Sequence, residues 1–227
     1  MDKTTLKAAF YKSLPVMVGY LIIGFGFGIL LRSAGYGLLW AVSMSLFIYA
    51  GSMQYVGVSL ITAPASLLTA ALTTFMINAR HLFYSISMIG KYRGAGIWKP
   101  YLIFALTDET YAILSGEDEK RKDFYPFCFL VSLFNHLYWI LGTALGSILA
   151  AALPFPTEGV GFSMTALFVA AYAGQWASGQ HRLPALLGLG LTFLCRLVFG
   201  RDLFLIPAMV LITLALLGIR RKEEAHE

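Results

Sequence analysis

Apolar runs of close to 20 residues recur along the whole 227-residue chain, and that recurrence leaves few folds open. About 20 apolar residues are what a helix needs to cross a hydrocarbon core of about 30 Å. Inside lipid every backbone N–H and C=O must pair within the protein, so a spanning chain is helical or a closed barrel. A barrel would alternate apolar and polar residues in segments of about ten, whereas these runs are continuous. Charged residues make up 13% of the chain, about half the 25% usual in a soluble domain. The expectation is an all-α, polytopic helical membrane protein that forms one integral membrane domain over residues 1–227.

Eight segments read as spanning: 14–31, 38–61, 64–90, 100–115, 125–153, 162–176, 183–199 and 203–219. Residues 1–13 read equally as a basic tail or as an interfacial helix, with Leu6, Phe10 and Leu14 on one side and Lys3 and Lys7 on another. The many later spans favour an uncleaved first helix over a signal peptide. Pro15 suits the first turn of segment one. Residues 220–227 form a charged tail. Gly24 and Gly28, and again Gly142 and Gly146, have the spacing that lets two membrane helices approach closely.

With both ends cytoplasmic and eight spans, ten Lys and Arg fall inside and five outside, Arg80 and Arg196 set apart. The basic loop 91–99 is the misfit, since it would lie outside. A re-entrant segment three would leave seven spans and a count of seven against eight. The similarity of 45–51 to 166–174 leaves open two related halves with broken or re-entrant helices, an architecture common in transporters.

The net charge of +5 arises in loops and tails. Membrane topology and anionic lipid account for it, so no nucleic-acid partner is expected. Cys128 and Cys195 lie in apolar runs without a CxxC or His/Cys cluster, so neither a metal site nor a disulfide framework is expected. HExxH, GxSxG and a Walker A sequence are absent. No enzyme activity and no cofactor are expected, and ATP-driven pumping by this chain alone is disfavoured.

Polar residues recur at similar depth in four segments: Ser52 and Gln54 in the second; Asn78, Arg80 and His81 in the third; Asp108 and Glu109 in the fourth; Asn135 and His136 in the fifth. Ionisable groups inside a membrane face a partner or a solvated path. Adjacent residues on a helix point about 100° apart, so one partner cannot satisfy both Asp108 and Glu109, or both Arg80 and His81. One pairing, Arg80 with a carboxylate, can be a fixed salt bridge. The remaining groups, among His81, Asp108, Glu109 and His136, are then candidates to carry a proton. Segment three is long enough that Arg80 lies either at mid-depth or close enough to one end to snorkel.

Tyr-Ala-Gly-Ser-Met-Gln-Tyr at 49–55, Asn-Ala-Arg-His-Leu-Phe-Tyr at 78–84 and Leu-Thr-Asp-Glu-Thr-Tyr-Ala at 106–112, in this order, resemble the AzlC/YgaZ family of large subunits of two-component branched-chain amino acid exporters. The resemblance implies efflux of valine, leucine or isoleucine across the bacterial inner membrane. It also implies a small AzlD/YgaH-type membrane subunit of about four spans as partner. The residues fit a zwitterion. Arg80 is suited to the carboxylate, and Asp108 or Glu109 to the ammonium. Gly51, Ser52, Gln54 and Asn78 offer further hydrogen bonds, while Met53, Phe83 and Tyr111 suit the aliphatic part. A channel, a carrier of another small solute, or a structural subunit of a membrane complex are the alternatives.

Overall fold

The computed structural model describes residues 2–63, 65–152 and 182–224, with 162, 165, 166, 169, 172, 173 and 176; at 201–203, 205 and 220–224 it describes the backbone alone. In chain order the helices are α1 (Lys3–Ser33), α2 (Leu38–Phe47), α3 (Gly51–Thr62), α4 (Leu67–Asn78), α5 (Arg80–Met88), α6 (Lys99–Phe104), α7 (Asp108–Leu114), α8 (Phe124–Ala152), α9 (Arg182–Leu203) and α10 (Leu205–Glu224). The described residues contain no strand. The chain packs as two units, one of Met1–Ala71 with His81–Met164 and one of Leu72–Arg80 with Thr165–Glu227.

In the first unit α1 and α8, of 31 and 29 residues, are long and apolar enough to cross a membrane. They run parallel. Thr5 donates to Asp123 beside the start of α8 at 2.5 Å, the rings of Phe10 and Phe134 lie 5.7 Å apart, and Ser13 meets Tyr138 at 3.1 Å. Farther along, glycines bring the backbones together. A Cβ added at Gly28 would lie 2.2 Å from the Thr143 carbonyl oxygen, and one at Gly146 would lie 2.0 Å from that of Phe25. The GxxxG spacings of segments one and five therefore serve each other. Pro15 sits inside α1 rather than in its first turn, because residues 3–13 are already helical and continue into the span. The N–H that proline lacks is tolerated there, as in many membrane helices.

Segments two and four, expected to be single crossings, are each two short helices doubled back. In segment two the chain turns at 48–50, where Tyr49 has φ 44°, a left-handed conformation unusual for a side chain of this size. Gln54 then reaches back to Ser45 at 3.4 Å, and Gly57 lies against Met44. In segment four the chain turns at 105–107. The ring of Trp98, just before α6, packs 4.5 Å from Phe129, and Phe104 reaches His136. Thr110 is again level with Asn135, and Lys91 binds the carbonyls of Ser115 and Glu117 at 2.6 and 3.0 Å. Helices of six to twelve residues rise about 9 to 18 Å, roughly half a hydrocarbon core. Each pair is a hairpin whose turn lies beside the middle of α8, and its two ends point to the same end of the α1–α8 pair. Segment two enters from the C-terminal end of α1 and segment four from its N-terminal end.

This arrangement accounts for the basic loop that fitted the charge count poorly. Lys12 pairs with Glu117 at 2.8 Å, and Gly94 abuts the Tyr125 hydroxyl. Loop 91–99, loop 116–123 and the chain's first turns therefore share one end. In the first unit nine Lys and Arg cluster there, with only Arg32 at the other end, and the positive-inside rule makes the basic end cytoplasmic. At that end Arg121 grips Asp123, and its guanidinium holds the carboxyl at about 2, below the ordinary 3.8.

In the second unit α9 and α10 pack together. Gly200, at φ 76°, interrupts α9 before the turn into α10. Arg196 is exposed on α9, on the wall of a groove of about 520 Å³ that Phe193 and Phe204 also line. Most of segment six, loop 154–161 and the 166–174 half of the internal similarity lie outside the described residues.

The glycine contact makes a direct expectation. Gly28→Ala and Gly146→Ala force the α1 and α8 backbones apart and should each cost about 3 kcal/mol. Gly19→Ala, on the same helix where an added Cβ meets nothing within 4 Å, should be neutral or stabilising by up to about 1 kcal/mol. Unfolding of the three purified variants in detergent checks this.

Candidate functional site

A break in a membrane helix leaves backbone groups that water cannot reach, so side chains must satisfy them. Both hairpin turns are served by one polar stripe on α8, formed by Asn135, His136, Trp139 and Thr143, all buried. At the first turn the Tyr49 N–H bonds to Met44 O at 3.3 Å, which releases the Ser45 carbonyl from the helix ladder. The His136 Nε2 lies 3.1 Å from that carbonyl. A carbonyl only accepts, so Nε2 carries the proton. In the neutral ring Nδ1 then accepts from the Tyr101 hydroxyl 3.0 Å away. The imidazole also stacks on Tyr49, with centroids 4.1 Å apart.

Gln54 is fully buried in the first turn of α3. Its Oε1 accepts from the Trp139 indole at 3.0 Å, and its Nε2 donates to Ser45. Ser45 donates in turn to Thr143 at 3.0 Å. Gly51 is where α3 passes the Trp139 ring; a Cβ there would lie 3.0 Å from the indole edge. Ser52 and Met53 follow in the same turn, Ser52 half-buried and Met53 buried.

The second turn is built on Thr107, which caps α7 by accepting from the Thr110 N–H at 3.3 Å. Asn135 Nδ2 donates to Thr110 Oγ1 at 3.0 Å. Asp108 and Glu109 occupy the first turn of α7, half-buried, where the helix dipole favours negative charge. Glu109 Oε2 accepts from the Tyr20 hydroxyl of α1 at 2.6 Å, and that hydroxyl also lies 2.7 Å from Thr107 Oγ1. The two turns meet. Tyr49 lies 6.3 Å from Phe104 and edge-on to Tyr20 at 6.4 Å, ring to ring.

The structure therefore brings Gly51, Ser52, Gln54, Asp108, Glu109 and His136 to two adjoining turns at the middle of the first unit. His81 is held near α7 through rings: it meets Tyr84 edge-on at 5.1 Å, and Tyr84 stacks on Tyr111 of α7 at 5.3 Å. Asn78 ends α4 and Arg80 begins α5, both in the second unit. Sequence reasoning passed over Tyr20, Ser45, Thr107, Thr110 and Trp139. A signal for one of them was present: Thr107 followed by two acidic residues marks a helix start, not the middle of a span.

Gln54→Leu would strand the Trp139 indole N–H in a dry interior. A loss of about 1–3 kcal/mol is expected, readable as a lower unfolding temperature of the detergent-solubilised protein.

The profile of the family described as AzlC protein matches residues 15–153. The branched-chain amino acid transport protein AzlC of Bacillus subtilis is 40% identical over 222 residues, covering 97% of this chain and 87% of that protein. A membrane protein of Haemophilus influenzae is 40% identical over 213 residues, 92% of this chain and 87% of its own length. The inner membrane protein YgaZ of Escherichia coli is 27% identical over 169 residues, 69% of this chain and 67% of that protein. No solved structure matches the chain at a significant level.

Proposed function

The chain belongs to the AzlC family, and on that premise we propose that it is the large subunit of a membrane transporter that exports branched-chain amino acids. The observation that carries the reading is the meeting of two broken-helix hairpins at mid-depth, with Glu109 held by Tyr20 beside the turn. Half-helices that end near the bilayer midplane present dipole ends and side chains to a small solute, as in secondary transporters. The name of the Bacillus subtilis relative supplies the substrate class.

A branched-chain amino acid needs an anion site, a cation site and an apolar wall. In this scheme Asp108 and Glu109 hold the ammonium, and the first turn of α3 at Gly51 and Ser52 receives the carboxylate. Arg80 is the guanidinium the sequence offers for the same carboxylate, with Asn78 beside it in the chain. Met53 and Tyr111 suit the aliphatic part. Efflux runs against inward proton movement, the proton being carried on Asp108 or Glu109, with His81 and His136 as further candidates. Of these, His136 already uses both ring nitrogens on Ser45 and Tyr101. A small AzlD/YgaH-type subunit completes the transporter.

The test is counterflow of labelled valine and leucine in proteoliposomes holding this chain with and without the co-expressed small subunit. Saturable counterflow that needs both chains is expected, and it separates a carrier from a channel. Glu109→Gln and Asp108→Asn should each lower pH-gradient-driven efflux at least ten-fold while the protein remains folded. Arg80→Gln tests the guanidinium separately. Full efflux in both carboxylate variants would contradict the reading.

A further inference from the structure

Tyr20 reaches Glu109 from outside both hairpins. It lies on α1, the long helix packed against α8, where its own carbonyl oxygen would be 2.9 Å from a Cβ added at Gly142. Its backbone is thus held at the glycine contact. The residue is 4% exposed, and its ring is edge-on to Trp139 at 5.5 Å. The hydroxyl has one proton, donated to Glu109 Oε2 at 2.6 Å, and it lies 2.7 Å from the Thr107 oxygen that caps α7. One phenol on α1 therefore holds the carboxylate in the first turn of α7 and lies against the Thr107 cap of that helix.

We propose that Tyr20 is a positioning residue for Glu109, setting the orientation of the carboxylate that receives the substrate ammonium. The inference rests on the transport reading above. A glutamate has three side-chain torsions, and holding them costs entropy unless a fixed donor has already done so. Site groups are effective when a second set of hydrogen bonds locks their rotamers. Tyr20 supplies that lock from outside the hairpin. Its ring contacts with Trp139 and Tyr49 do not need the hydroxyl, so Tyr20→Phe removes the lock and leaves the packing.

The experiment is leucine transport by Tyr20→Phe in proteoliposomes that also hold the co-expressed small subunit, with Glu109→Gln in parallel and membrane-inserted protein quantified. A hydrogen bond to a charged group is worth on the order of ten-fold in an equilibrium constant or more. The KM for leucine is expected to rise on the order of ten-fold with the maximal rate within about two-fold. Competition by 4-methylpentanoate, which is leucine without its ammonium, should change less than about two-fold, because it makes no contact with Glu109. An unchanged KM for leucine overturns the proposal. So does an equal loss for leucine and 4-methylpentanoate, which marks a packing defect. If Tyr20→Phe fails to insert, Glu109→Asp takes its place: it keeps the charge but draws the carboxylate back from the phenol, and an unchanged KM for leucine there overturns the proposal too. Wild-type transport by Glu109→Gln would sink the ammonium reading itself, whereas loss in Glu109→Gln with a normal Tyr20→Phe sinks only this inference.

Discussion

The fold of the first unit depends on one constraint: backbone released from a helix inside lipid must find a partner in the protein. Two hairpin turns stop at mid-depth, and an unpaired amide or carbonyl there would cost several kcal/mol. The buried stripe on α8 answers this. His136 takes the Ser45 carbonyl, Trp139 and Thr143 bond Gln54 and Ser45, and Asn135 bonds Thr110 beside the Thr107 cap. Much of the mid-depth polarity of this chain is therefore architectural. Asp108 and Glu109 lie half-buried beside these turns, in the first turn of α7, and the proposed function puts the chemistry of a zwitterion there.

That stripe can serve both turns only because α1 and α8 are in backbone contact. Gly24 and Gly28 on one helix and Gly142 and Gly146 on the other remove the side chains that would separate them. The closeness puts Tyr20 beside Trp139 and within reach of Glu109. On the proposed transport function, the α1–α8 pair is the support around which one part of the protein would rock against the other during alternating access.

Hydropathy makes the long elements legible. Segment five, read over 125–153, is α8 at Phe124–Ala152, and the glycine spacings point to the face it uses. The hairpins were not legible that way, because an apolar run looks the same whether the chain crosses or doubles back. Two local signs did carry the reversal. Thr107-Asp108-Glu109 is a helix start in the middle of segment four, and the basic residues of loop 91–99 fit only on the side of the N-terminus. The acidic pair and Gln54 were found because polar residues in an apolar run stand out. Tyr20 was missed because a tyrosine in an apolar helix does not, and its role comes from a partner 89 residues away. Arg80 enters only the proposed mechanism, as a partner for the substrate carboxylate; the sequence supplies the guanidinium, and it and the acidic pair fall in different units.

The hairpin architecture is the claim on which the site and its chemistry rest, and sidedness tests it most directly. Single cysteines at Ser33, Arg93 and Lys120, in a chain with Cys128 and Cys195 replaced, can be labelled with a membrane-impermeant maleimide in right-side-out and inverted vesicles. The two oppositely inserted hairpins require Arg93→Cys and Lys120→Cys to react from the same side and Ser33→Cys from the other. Reaction of Arg93→Cys from the side of Ser33→Cys would mean that segments two and four each cross the membrane, and the two facing turns would not exist.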